Sequence, residues 1–108
     1  PGRDPRCFAF DYSYGLETNQ ATLHEDLGRA LVGNAVEGYN SCLFAYGQTA
    51  AGKSWTVLGD QHSEEDRGLL PRICESLFEC AESSAEEEFR VVCTYLEIYN
   101  EKMRDLLE

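Results

Sequence analysis

The sequence predicts an α/β fold, a three-layer sandwich in which helices cover both faces of a mixed or mostly parallel sheet. Two observations carry this prediction. Apolar runs of strand length alternate along the chain with stretches of helical periodicity, and two of these runs are apolar on both faces. A strand that is apolar on both faces belongs in the middle of a sheet covered by helices. The 108 residues allow at most one hydrophobic core.

Six elements are predicted in chain order. Residues 7–12 alternate as a strand does, and residues 18–37 repeat apolar side chains at steps of three and four, as an amphipathic helix does. Residues 41–46 form a short apolar strand, and residues 53–58 and 71–81 form helical stretches on either side of the polar segment 59–68. Residues 89–99 are predicted as a central strand. Gly38 is expected to end the first helix in the left-handed conformation.

The composition of the chain argues against several classes of binding partner. The chain has 9 basic and 20 acidic residues, a formal net charge of −11, which repels nucleic acid backbones and anionic lipids. The acidic runs 64–66 and 86–88 are interpreted as solvated. Five cysteines without a C-x-x-C pair indicate free thiols rather than disulfides or a zinc site. No apolar stretch approaches the roughly 18 residues of a membrane span, so we expect a soluble, cytoplasmic protein that binds neither nucleic acid nor membranes.

A phosphate-binding motif occupies residues 47–54, where GQTAAGKS fits G-x-x-x-x-G-K-[ST] after a predicted buried strand and at the start of a helix. This context predicts a fold of the phosphate-loop NTPase type. The main-chain N–H groups of about residues 50–54 are expected to converge on phosphate oxygens. Lys53 would follow the β and γ phosphates, and the Ser54 hydroxyl would bind Mg²⁺. The predicted nucleotide-binding residues are Gly47, Gln48, Thr49, Ala50, Ala51, Gly52, Lys53 and Ser54. The alternative is an ordinary strand-to-helix turn with a surface lysine.

Other chemically versatile residues carry weaker signals. Trp55, just inside the predicted helix, is either a packing residue or a platform for a nucleotide base. His24 and His62 have no second ligand at metal spacing, and we interpret them as solvated or packed. Glu97 and Glu101 straddle a predicted strand end, which favours structural roles over an acid–base pair.

Beyond the motif, the chain resembles the kinesin motor domain along almost its whole length. The matching stretches are residues 8–14 (FAFDYSY), 38–40 (GYN), 44–49 (FAYGQT), 68–72 (GLLPR), 95–101 (YLEIYNE) and 104–107 (RDLL). Residues 10–14 (FDYSY) and 97–107 (EIYNEKMRDLL) are most similar to the third kinesin class, whose members carry vesicles and organelles along microtubules.

The resemblance implies a microtubule motor ATPase of the cytoplasm and cytoskeleton, with ATP held by residues 47–54, Lys53 on the phosphates and Ser54 on Mg²⁺. It also implies that Trp55 packs beside the adenine, because kinesins often have His or Tyr after the phosphate-loop Ser or Thr. Many relatives have Gly where this chain has Ala50. If that position requires a positive φ, alanine costs on the order of 1 kcal/mol.

The resemblance further implies that residues 1–108 are a partial motor domain. The kinesin adenine contact Arg-x-x-Pro and the switch strings Ser-Ser-Arg and Asp-Leu-Ala-Gly do not occur in this sequence. Most contacts with microtubules are also expected outside it. We therefore expect no ATP hydrolysis from these residues alone. Two alternatives are a degenerate or truncated kinesin-like scaffold, and a phosphate-loop NTPase unrelated to motors.

Overall fold

The computed structural model describes residues 5–84 and 88–108, so two residues of the acidic run 86–88 lie outside the description. The elements in chain order are α1 (Gln20–Leu23), a π-helical turn (His24–Gly28), α2 (Arg29–Val36), α3 (Lys53–Val57), α4 (Leu69–Ser83), β1 (Leu96–Tyr99) and β2 (Lys102–Asp105). The three helical predictions are confirmed within a few residues at each end. No helix in the described ranges is both long enough and apolar enough to cross a bilayer.

The first helix begins where a side chain caps it. The Asn19 carboxamide oxygen accepts a hydrogen bond from the Thr22 main-chain N–H at 2.9 Å and another from the Thr22 hydroxyl at 3.0 Å. These bonds satisfy a main-chain donor that has no partner inside the helix. α1, the π-helical turn and α2 then follow one another without a break.

The same helix ends at Gly38, as the sequence predicts. Gly38 has a φ of +89°, and its N–H donates to the Ala35 carbonyl at 3.1 Å. The N–H of Tyr39 donates to the Asn34 carbonyl at 2.8 Å. This pair of bonds is the Schellman arrangement, which satisfies the last carbonyls of a helix when the following residue is left-handed.

The π-helical turn packs against α4 through one histidine. His24 Nε2 lies 3.3 Å from the Ser76 hydroxyl of α4. A side chain at Gly28 would place its Cβ 3.1 Å from Cγ and Nε2 of His24, and closer still to Cδ2. Val32 of α2 and Leu69 of α4, which are 6% and 1% exposed, are the buried hydrophobic residues of the described chain. The core therefore lies between the first helix and α4.

The polar segment between α3 and α4 is a closed loop. Gly59 ends α3 with a φ of +67°, and the Gly68 N–H donates to the Leu58 carbonyl at 2.9 Å. Arg72 of α4 crosses the loop and donates to the carbonyls of Glu64 and Glu65 at 3.0 Å and 2.9 Å. The main chain of the acidic run 64–66 is therefore fixed by a guanidinium, although the side chains of Glu64 and Glu65 are exposed, as the sequence predicts.

The predicted strand 7–12 is wrong, because these residues have no regular secondary structure. A strand is defined by hydrogen bonds to a neighbouring strand, and none of the described segments pairs with this one. The segment is fastened instead by side chains: Tyr14 donates to Asp26 Oδ2 at 3.1 Å, and its ring stacks with Tyr12 at a centroid distance of 6.0 Å. Desolvation, and then Asp26, raise the pKa of the Tyr14 hydroxyl.

The predicted parallel or mixed sheet is not formed among the described residues, and the sandwich arrangement stays a prediction. Residues 41–46 have no regular structure, and only β1 of the predicted strand 89–99 is formed. β1 pairs antiparallel with β2, from Leu96 opposite Asp105 to Tyr99 opposite Lys102. The φ values of the two residues between them, Asn100 and Glu101, are +49° and +61°. Positive φ at both positions is typical of the tight I′ hairpin turn. The chain therefore reverses directly after residue 99, where the predicted strand 89–99 ends.

The chain is more expanded than a compact domain of its size. Its radius of gyration is 17.2 Å, against about 13 Å for a compact chain of this length. Its accessible surface is 10042 Å², against roughly 6,000 Å² for a folded monomer of this mass. Phe44 and Tyr46, predicted to lie in a buried strand, are 82% and 94% exposed. Exposed large hydrophobic side chains recur in the apolar segments 7–12, 41–46 and 89–95.

Gly28→Ala is expected to lower the free energy of unfolding by about 1–3 kcal/mol, because the new methyl overlaps the His24 ring. Gly33→Ala is the matched control, since a Cβ there meets no atom within 4 Å. It should raise stability by about 0.5–1 kcal/mol, as expected for alanine inside a helix. Denaturant unfolding of both variants checks the prediction. Equal effects of the two substitutions on the free energy of unfolding would contradict the prediction. So would an undiminished loss of stability when Gly28→Ala is made in a His24→Ala background.

Candidate functional site

The loop before α3 has a backbone that most side chains disfavour. The φ angles of Gly47, Ala50 and Gly52 are +155°, +65° and +89°. The N–H of Ala51 donates to the Gln48 carbonyl at 3.2 Å, which closes a turn inside the loop. A Cβ at Gly47 would lie 3.2 Å from the Cβ of Ala51. Successive residues of opposite handedness turn their N–H groups toward one side, which makes a concave surface for an anion.

Lys53 holds the two ends of this loop together. Its ammonium donates to the carbonyl of Gly47 at 2.8 Å and to the carbonyl of Gln48 at 2.7 Å. An ammonium has three N–H donors, so one remains for a ligand while the other two hold the loop. The bonds also keep a positive charge at the loop, beside the N-terminus of α3.

The N-terminus of α3 offers main-chain donors to the same place. Gly52 is its N-cap residue, and no side chain caps this end. The first bond of the helix runs from the Thr56 N–H to the Gly52 carbonyl at 2.9 Å. The N–H groups of Lys53, Ser54 and Trp55 therefore have no acceptor within the helix. These donors and the helix dipole favour a negatively charged ligand.

Ser54 is the predicted ligand of a cation, and it lies exposed in the first turn of α3. The described residues contain no cluster of three or more His, Cys, Asp or Glu side chains that could bind a metal ion. One hydroxyl cannot complete the coordination of Mg²⁺, which usually retains water and takes oxygens from a bound phosphate. The donor set at Ser54 thus fits a cation that arrives with a nucleotide.

Trp55 is not a core residue, since it is 50% exposed. It borders a cavity of about 510 Å³ together with the end of α3 and the start of the following loop, residues 58–62. Its main-chain carbonyl accepts a hydrogen bond from Gln20 Nε2 at 2.8 Å. An aromatic face beside an open cavity is suited to a flat apolar ring.

Residues 47–55 form the loop and the start of α3, and of the weaker candidates only His62 lies near them among the described residues. His24 packs on α4, His62 accompanies Trp55 at the 510 Å³ cavity, and Glu97 forms a 3.9 Å ion pair with Arg104 in the hairpin. Sequence reasoning missed Gln20. Helical periodicity assigns a residue to a face of the helix, but it gives no sign that a polar amide at the first position reaches a carbonyl 35 residues away.

Comparison with known proteins gives one consistent family. The profile of the kinesin motor domain matches residues 2–108. Human Kinesin-like protein KIF1B is 44% identical over 117 residues, which covers 99% of this chain and 6% of KIF1B.

Solved structures similar to this chain are also kinesins. A fast kinesin, described for its ATPase mechanism and its interactions with microtubules, is 41% identical with a TM-score of 0.87, covering 93% of this chain and 29% of that one. Drosophila Kin10/NOD in complex with divalent manganese and ADP is 33% identical with a TM-score of 0.77, covering 94% and 37%. The chain thus spans less than half of each of these relatives.

Ala50→Gly is expected to stabilise the protein by on the order of 1 kcal/mol, because glycine adopts a φ of +65° without the clash of a Cβ. Ala51→Gly is the matched control: its φ is not positive, so glycine there should lower stability by about 0.4–1 kcal/mol. Denaturant unfolding measures both. If Ala50→Gly lowered stability as Ala51→Gly does, the left-handed conformation of Ala50 would be refuted.

Proposed function

The chain belongs to the kinesin motor-domain family, as its sequence resemblance predicts, and from this premise we propose that it is the ATP-binding part of a microtubule-based motor ATPase. Its fold is that of the phosphate-loop NTPases to which kinesin motor domains belong. The three-layer arrangement of a central sheet with helices on both faces is part of the proposal. Neither a non-motor scaffold nor an unrelated phosphate-loop NTPase is favoured.

The observation that carries the proposal is the pair of hydrogen bonds from Lys53 to the loop, called here the loop clamp. Its two bonds to the carbonyls of Gly47 and Gln48 place the ammonium beside main-chain donors without helical partners. A chain of phosphates matches this set of donors, because it offers several anionic oxygens within a few ångströms. We assign the triphosphate of ATP to residues 47–54, with Lys53 binding the β and γ phosphates.

The base and the cation complete the proposed site. We propose that Trp55, which is half-exposed at the edge of its cavity, stacks on adenine. Ser54 would hold Mg²⁺ through its hydroxyl, and the structure of Kin10/NOD with manganese and ADP supports a divalent cation and an adenine nucleotide. When bound, Mg²⁺ neutralises charge that develops on the phosphate oxygens. The chain's own residues bind and orient the nucleotide.

We infer that residues 1–108 form one part of a longer motor domain, and that hydrolysis depends on groups from the rest of it. Phosphoryl transfer requires residues that orient the attacking water and stabilise the transition state. A loop with one lysine supplies only the cradle for the phosphates. The large apolar surface left exposed by segments 7–12, 41–46 and 89–95 supports this inference, because it is suited to pairing with further strands.

Microtubules are the proposed partner, which places the protein on the cytoskeleton of the cytoplasm. The support comes from the fast kinesin and from Drosophila NOD, whose structure was docked with bovine tubulin on the microtubule. With a net charge of −11, this part of the chain should be repelled by an acidic protein surface. We therefore assign the microtubule contacts mostly to other parts of the protein.

Lys53→Ala in the full-length protein is expected to reduce ATP turnover at least about 100-fold, because it removes both the loop clamp and the phosphate contact. Lys102→Ala is the matched control, since the chain's other lysine lies exposed in β2 of the hairpin. Microtubule-stimulated ATPase assays measure both variants, with circular dichroism to verify folding. Normal turnover in a folded Lys53→Ala protein would refute the role assigned to Lys53.

A further inference from the structure

Gln20 is a polar side chain in an unusual position. It is only 4% exposed, at the first residue of α1, and its Nε2 donates to the Trp55 carbonyl at 2.8 Å. Its Oε1 is buried without a hydrogen-bond partner among the described residues. A buried acceptor without a partner is unfavourable. The residue therefore carries a cost in stability at a position that an apolar side chain could fill.

The hydrogen bond replaces one that α3 lacks. In a regular helix the Trp55 carbonyl would accept from the N–H of Gly59, four residues later. Here the Gly59 N–H donates to the Ser54 carbonyl at 3.1 Å, and Leu58 donates to the same carbonyl at 2.8 Å. The left-handed turn at Gly59 thus leaves the Trp55 carbonyl without a main-chain donor, and Gln20 supplies one.

This bond fixes the main chain of the residue that we assign to the base. α3 has only five residues, and a helix of this length is not stable by itself. Its orientation must come from contacts with the rest of the protein, and the Gln20 bond is one of them, made directly to Trp55. Trp55 also lines the open cavity, and a shift of its main chain would move the side chain with it.

We propose that Gln20 is a positioning residue that holds Trp55 against the nucleotide base, and so gives the site its preference for ATP over a polyphosphate without a base. The inference rests on the proposed function of residues 47–55. Gln20 lies outside the phosphate-binding motif, and it acts on the base end of the site rather than on the phosphate end.

Gln20→Met in the full-length protein is the direct test. Methionine has a similar length and volume, removes the donor to Trp55, and also removes the unpartnered oxygen, so a large loss of stability is not expected. The affinity for Mg·ATP should fall about tenfold, as when an aromatic stack on a base is disturbed. The affinity for Mg·tripolyphosphate, which has no base, should change less than twofold. Ala21→Met, an exposed neighbour, is the control and should change neither affinity.

A double substitution separates positioning from simple packing. Trp55→Ala alone should also weaken ATP binding without affecting tripolyphosphate, and adding Gln20→Met to it should cause no further loss. If Gln20→Met lost the native circular dichroism spectrum, Gln20→Asn would replace it, because its amide is one methylene too short for the bond. The affinities of Gln20→Asn for Mg·ATP and Mg·tripolyphosphate would then be compared in the same way.

The outcomes are distinct. If Gln20→Met lowered the affinities for Mg·ATP and Mg·tripolyphosphate equally, or lowered neither, the positioning role would be overturned. The proposed phosphate site would not be affected by that result. Additive losses in the double variant would overturn it as well. Wild-type protein that bound neither ligand would refute the proposed function itself, and the inference with it.

Discussion

The candidate site depends on the backbone shape of six residues, 47–52, and on the lysine that holds this shape. Three positions in the loop have positive φ, and one of them, Ala50, is not glycine. Such a segment opens easily unless other contacts fix it. The ammonium of Lys53 supplies these contacts through two carbonyls. It therefore has a structural role in addition to its proposed contact with phosphate, and removal of its charge affects both.

The helical part of the protein supports this loop from one side. α3 follows the loop directly and is too short to hold a fixed direction alone. Gln20 connects it to α1, and the closed loop 59–68 returns the chain to α4 through main-chain bonds and Arg72. α4 in turn packs on the first helix, where Val32 and Leu69 are buried. These contacts therefore lie on the base side of the site. The apolar segment 41–46, which precedes the loop, is exposed instead.

The sequence predicted the helices and the loop because both depend on neighbours in the chain. The left-handed Gly38 and the motif 47–54 are local features, and even the strain at Ala50 could be anticipated from its family. The sheet could not be predicted in this way. An apolar run indicates that a segment is suited to a strand, whereas the pairing partner decides whether a ladder forms. The hairpin at Asn100 and Glu101 lacks the glycine that usually marks such a turn. The π-helical turn and the burial of Gln20 depend on contacts distant in sequence, which periodicity does not report.

Membership of the kinesin family and the geometry of the loop lead to the same central claim, that main-chain amides and one ammonium bind the phosphates of a nucleotide. Titration calorimetry of Mg·ATP into the full-length protein tests this claim most directly. The account predicts a one-to-one complex that forms at ligand concentrations below about 1 mM, near the range in which enzymes usually bind their substrates. The absence of any association at millimolar Mg·ATP, in protein shown to be folded, would contradict it.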